Sequence, residues 1–125
     1  MSNVVDSSGW LAYFADEPSA DFFAPAIEEV SSLIVPAISL YEVFKHILLR
    51  RSEDEAMQAI GVMLQGQVID LDRELALNAA KISVEGKLPM ADSIILATAY
   101  KFEATVWTQD SDFEGLRNVR YLAKN

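Results

Sequence analysis

The chain has 125 residues, 51% of them apolar, and a formal net charge of −9. That size fits one domain, spanning residues 1–125, with a real hydrophobic core. The absence of cysteine excludes disulfides and thiolate metal sites, and no apolar run approaches the roughly 18 residues that cross a bilayer. No basic stretch followed by an apolar run opens the chain, so no secretory leader and no membrane partner are expected, and the expected location is cytoplasmic. The acidic balance by itself disfavours a nucleic-acid partner. Acidic surface aids solubility, but a cluster of carboxylates holding cations would also account for part of the excess and reverse its local sign.

In chain order, Val4-Val5 reads as a short buried strand. Ser7 or Ser8 can cap a helix through Trp10, Leu11, Tyr13 and Phe14. Pro18 and Ser19 open a second helix through Phe22, Phe23, Ile27 and Val30. Leu33-Ile34-Val35, stopped by Pro36, is the second strand. Leu40, Phe44, Ile47 and Leu48 follow the spacing of an amphipathic helix. Ser52 caps another through Ala56, Ile60 and Met63, ending at Gly66. Val68-Ile69 is a third strand, and Leu75, Ala79 and Ile82 mark a helix that stops near Gly86. Ala91, Ile94, Ile95, Thr98 and Phe102 make the clearest apolar stripe, with Pro89 near its start. Thr105–Thr108 is the fourth strand and Val119–Leu122 the fifth. Strands alternating with helices predict an α/β fold: a mostly parallel, about five-stranded sheet with helices on both faces.

Asp6, Glu42, Asp92, Asp110 and Asp112 stand where an apolar element gives way to a turn or where a helix begins. In such a fold those places share one edge of the sheet. Each acid also has a structural use. Asp6 can cap the first helix. Ser39-Leu40-Tyr41-Glu42 fits a capping box in which Glu42 bonds back to the Ser39 backbone. Asp92 suits the positive end of a helix, and Asp110 or Asp112 can cap the turn holding Phe113 and Leu116. As a group they carry a cost, because carboxylates about 4 Å apart repel by about 4 kcal/mol at an effective dielectric near 20. A divalent ion relieves it, and hard oxygen ligands select Mg²⁺ or Mn²⁺.

His46 is the only histidine and lies four residues after Glu42, where pairing with that carboxylate is expected. A lone histidine excludes a two-histidine ribonuclease and a multi-histidine zinc site. No phosphate-binding glycine loop occurs. An aspartate-nucleophile phosphatase would want D-x-D at the first strand, where this chain has Asp6-Ser7-Ser8.

Four segments together resemble the PIN-domain ribonucleases, and most closely the VapC-type toxins of toxin–antitoxin pairs: Val4-Val5-Asp6-Ser7-Ser8, Ser39-Leu40-Tyr41-Glu42, residues 88–99 (LPMADSIILATA) and Thr108-Gln109-Asp110-Ser111-Asp112-Phe113. The third and fourth are the specific ones. Trp107 departs from the family, where a smaller aliphatic is usual, and reads as core. The resemblance implies a PIN-like α/β/α sandwich. It implies Asp6 and Asp92 as principal metal ligands, Asp110 completing the site, Glu42 binding metal or orienting water, and Asp112 as a further acid. Thr108 and Ser7 would place hydroxyls nearby. It implies Mg²⁺, with Mn²⁺ substituting, an RNA substrate, a homodimer and a small VapB-like antitoxin. Lys45, Arg50, Arg51 and Lys87 are the cations nearest in sequence to Glu42 and Asp92. Some of Trp10, Tyr13, Phe14, Phe22 and Phe23 could line a groove for an antitoxin helix. The alternative reading is a catalytically silent PIN-like module that only binds RNA or a protein.

Overall fold

The computed structural model describes residues 1–124. Short β-branched runs form β1 (Asn3–Val5), β2 (Leu33–Pro36), β3 (Gln67–Ile69), β4 (Thr105–Thr108) and β5 (Val119–Tyr121). Helices α1 (Ser7–Phe14), α2 (Ala20–Glu28), α3 (Ala37–Arg50), α4 (Glu53–Met63), α5 (Arg73–Gly86) and α6 (Met90–Lys101) fill the crossovers. The strands pair in the order β3-β2-β1-β4-β5, and every pairing is parallel. The architecture is therefore the expected α/β/α sandwich.

Side-chain alternation decides which helices cover which face. Val5, Leu33 and Val35 point into one cluster with Trp10, Phe23, Val43 and Met63 from α1 to α4. Val4, Ile34 and Val106 point the other way, into a cluster with Ile95, Leu96 and Ala99 of α6. Leu75 and Ala79 of α5 then pack on the outer side of α6, against Ile94 and Ala97. This placement buries α6 almost all round, with every residue from Ser93 to Ala99 inside. The single stripe expected there is too narrow a description, because a helix covered by a sheet on one side and a helix on the other has little polar face.

Other local expectations are corrected. Asp6, not Ser7 or Ser8, caps α1. Val30 has left α2 for a 3-10 turn (Val30–Ser32) and is exposed. The capping box does not form. The helix begins at Ala37, before Ser39, and the buried Ser39 hydroxyl has no partner among the described residues. On α3 Ser39 and Val43 are buried and Leu40 and Ile47 pack half-buried against the same cluster as expected, whereas Leu48 is exposed. Phe102 lies just past the end of α6. Ser52 does cap α4, accepting from the Glu55 N–H at 3.1 Å.

One glycine fixes a close approach that the site depends on. A Cβ on Gly9 would stand 2.6 Å from the Phe23 ring and 2.7 Å from Val5. Only a residue without a side chain lets the first turn of α1 lie this close to β1 and α2.

Strand order places the site. The chain moves outward from β1 through β2 to β3, then returns to the other side of β1 as β4. The direction of winding thus reverses between β1 and β4, and open parallel sheets hold ligands beyond the strand C-termini at such a reversal. Asp6 follows β1 there, and Asp110 follows β4.

Candidate active site

Asp6 is set by its own loop. Its N–H donates to the Trp107 carbonyl at 3.1 Å, so the chain leaving β1 stays beside β4. Its Oδ1 accepts from the Ser8 hydroxyl at 2.8 Å and the Gly9 N–H at 3.2 Å. The residue is 2% exposed. Burial pushes its carboxyl up to about 6, against the pull of hydrogen bonds from Ser8, Gly9 and Thr108, and the nearby Asp110 charge pushes the same way as burial.

Ser7, the next residue, donates its hydroxyl to Glu42 Oε1 at 2.5 Å. This bond ties the start of α1 to α3 and holds the Glu42 carboxylate. It replaces the capping box as the local fate of Glu42.

Asp92 lies in the first turn of α6. Its carboxyl is pushed up to about 7, first by desolvation and then by the charges of Asp110, Asp6, Asp112 and Glu42. Asp110 caps the 3-10 turn Ser111–Phe113, its Oδ1 accepting from the Asp112 N–H at 2.9 Å. The Asp110 N–H donates to Thr108 Oγ1 at 2.9 Å. Thr108 is fully buried and touches both Asp6 and Asp110 through hydrogen bonds.

Asp92, Asp110 and Asp112 each present a carboxylate oxygen within 4.8 Å of the others. Asp6 and Glu42 lie outside that trio but close enough for their charges to act on Asp92. Three of the five acids expected from the sequence thus meet, and the other two act on Asp92 through their charges. The ion pairs formed among the described residues are Arg51–Glu55, Lys101–Asp72 and Lys101–Glu74, and none involves these five. An uncompensated set of oxygen donors, with no nitrogen or sulfur among them, fits a hard divalent cation.

Among the described residues, none of the cations nearest in sequence forms an ion pair with the five acids. Lys45 lies over the Tyr41 ring, Arg51 pairs with Glu55, and Lys87 ends α5 in the left-handed region at φ 54°. His46 makes no ion pair with Glu42. It borders a groove with Arg50, where burial and the Arg50 charge lower its pKa. Trp107 is half-buried core, as expected. It packs against Phe22 and donates its indole N–H to Asn3 at 2.9 Å.

Gln109 was not singled out by the sequence. It is 6% exposed and donates its side-chain amide to the Ser8 carbonyl at 3.3 Å. A glutamine in a turn ordinarily points to water, and its partner lies 101 residues away in the chain, so no local signal could have marked it.

The sequence matches the PIN domain family over residues 4–118. Among curated proteins there is no match in sequence. Solved structures share the fold. A toxin–antitoxin complex from Klebsiella pneumoniae is 23% identical, with a TM-score of 0.79 over 95% of this chain and 96% of that one. Mycobacterium tuberculosis VapC20, a sarcin-ricin loop cleaving toxin, is 20% identical, with a TM-score of 0.78 over 94% and 97%. DNA-bound VapBC from Salmonella typhimurium is 17% identical, with a TM-score of 0.77 over 98% of each chain. With residues 4–118 matched by the family and with the sheet and helices in the expected arrangement, the chain belongs to the PIN-domain family.

Proposed function

We propose that the protein is a metal-dependent endoribonuclease, hydrolysing RNA phosphodiesters with Mg²⁺ or, in its place, Mn²⁺, and that it is the toxin of a type II toxin–antitoxin pair. The observation that carries this reading is the meeting of Asp92, Asp110 and Asp112 within 4.8 Å, with the charges of Asp6 and Glu42 acting on the same carboxyl. Asp92, Asp110 and Asp112 would hold the ion, with the buried Asp6 as a further ligand. Glu42, steadied by Ser7, orients the attacking water and takes its proton. The chemistry a divalent ion would supply there is neutralisation of the scissile phosphate and a lower pKa for the water. Thr108 and Asp110 keep the β4 loop in place. No step uses the ribose 2′-hydroxyl as nucleophile, so the products carry 5′-phosphate and 3′-hydroxyl ends.

Incubating the purified protein with a mixed RNA pool and Mn²⁺, then mapping the end groups, tests this. Cleavage lost in Asp6→Asn and Asp92→Asn supports it. Products ending in 2′,3′-cyclic phosphate, or cleavage surviving in both variants, overturn it.

The partners follow from the same reading. The groove of about 520 Å³ beside α1, α3 and α4 is lined by apolar Leu11, Phe14, Ile47 and Val62 and by the charged side chains of Asp16, Glu17, Arg50, Arg51 and Glu55. It suits an amphipathic segment of a small VapB-like antitoxin. Of the N-terminal aromatics, Phe14 lines this groove, whereas Trp10 and Phe23 are core. Leu77 and Val84 of α5, together with Met90 and Tyr41, are exposed apolar side chains that support a homodimer. No helix among the described residues is long and apolar enough to cross a membrane.

A further inference from the structure

We infer that Gln109 is a positioning residue that sets the distance between the Asp6 loop and the Asp110 loop, an inference that rests on the nuclease reading above. The two loops run side by side beyond β1 and β4. At their base, the Asp6 N–H donates to the Trp107 carbonyl at 3.1 Å. One step further out, Gln109 donates its amide to the Ser8 carbonyl at 3.3 Å. Between those rungs, Thr108 reaches both acids with its hydroxyl. Gln109 is the only one of these ties that grips α1 itself, because Ser8 sits in the first turn of that helix.

Asp110 is the next residue after Gln109 and has little freedom of its own. Its N–H is held by Thr108 and its carboxylate by the Asp112 N–H. A shift of the Gln109 backbone therefore moves Asp110 and Asp112 together, relative to Asp6. No cation pairs with the acids among the described residues to offset their mutual repulsion. A part-buried hydrogen bond from the Gln109 amide across the gap resists the spreading that this repulsion drives.

The competing explanation is that Gln109 only fills space and satisfies a carbonyl. Gln109→Met separates the two, since it keeps the length and volume and removes the donor. Mn²⁺ binding to the whole chain is read by electron paramagnetic resonance of the free ion, and thermal melting is recorded without metal. Leu75→Val serves as a stability control, because Leu75 is buried in the α5–α6 cluster.

The expected result is Mn²⁺ affinity weakened about tenfold by Gln109→Met, the size usual for residues that orient ligands, with Leu75→Val binding Mn²⁺ as the wild type does. Wild-type affinity in Gln109→Met, or equal weakening in Leu75→Val at a matched loss of melting temperature, overturns the inference and leaves the nuclease reading standing. A wild-type chain that takes up no Mn²⁺ removes both. Should Gln109→Met fail to fold, Gln109→Asn keeps the amide but is one methylene too short to reach Ser8, and the same weakening is expected of it.

Discussion

Asp6 and Asp92 carry the same group, and both hold their proton to higher pH than an ordinary aspartate, but for different reasons. Asp6 is sealed in the interior, and three hydrogen bonds oppose the cost of burying its charge. Asp92 is half-buried and finds no donor among the described residues. Four neighbouring carboxylates add to its desolvation. Asp6 therefore belongs to the fold as well as to the site, since it caps α1 and draws Ser8 and Gly9 around itself. Asp92 belongs to the site alone, and the fold would be easier to form without its charge. Stability and function are joined at one acid and opposed at the other.

The largest effect that sharpens this contrast is Asp92→Asn. Cleavage of RNA should fall by at least about 100-fold, the scale seen when one electrostatic contact to a reacting centre is lost, while the metal-free melting temperature at pH 8 holds or rises. A variant that is both inactive and clearly less stable would mean that Asp92 also supports the fold. The same pair of proteins reports the pH dependence. The folded Asp92 carboxyl titrates at about 7, against an ordinary value of 3.8. Between those values the native state binds the proton that the unfolded chain has already released. Stability from this group is thus complete at low pH and is lost as pH rises through about 7. The wild type should lose melting temperature relative to Asp92→Asn between pH 4 and 7.5, and Mn²⁺ at pH 7.5 should restore the wild type alone. A flat difference across that range counts against the raised value.

Asp6 should divide where Asp92 does not. Asp6→Ala removes the helix cap and is expected to cost about 1 kcal/mol of stability, read as a lower urea midpoint at unchanged slope. Asp6→Asn keeps an oxygen acceptor for Ser8 and Gly9 and should cost much less, yet both variants should be equally inactive. If Asn proved as destabilising as Ala, the role of Asp6 would lie in its charge rather than its cap.

Much of this arrangement is legible in the sequence because the signals are local. The β-branched runs before Asp6 and after Thr105, the glycine and proline stops, and acids at the ends of elements suffice to predict a parallel sheet with carboxylates on one edge. The misread features are those where tertiary contact outranks a local pattern. Ser39 and Glu42 have capping-box spacing, but β2 runs straight into α3, which leaves Ser39 inside the helix. Glu42 then answers to Ser7, 35 residues away in the chain. His46 sits one turn from Glu42 by spacing, yet its ring lies along the groove beside Arg50. The α6 stripe looked one-sided because periodicity shows which residues are apolar, not how many neighbours will cover them. Ser8 and Gln109 have ordinary turn identities, and their bond exists only once β1 and β4 are neighbours.

The smallest effect concerns the tie that spacing could not reveal. The Ser7 hydroxyl donates to a Glu42 carboxylate that remains partly open to water. In Ser7→Ala a solvent molecule can take the donor's place, so the net loss should be about 1 kcal/mol or less, too little to change the fold. If Glu42 orients the attacking water, looser aim should appear in kcat, lowered by about fivefold at most, with KM for RNA unchanged, because ground-state binding of the phosphate does not involve the Ser7 hydroxyl. Ser7→Thr restores a hydroxyl at the same place and should recover the rate. Wild-type kcat in Ser7→Ala would mean that Glu42 keeps its aim without α1. A change confined to KM would move Glu42 from handling water to holding substrate.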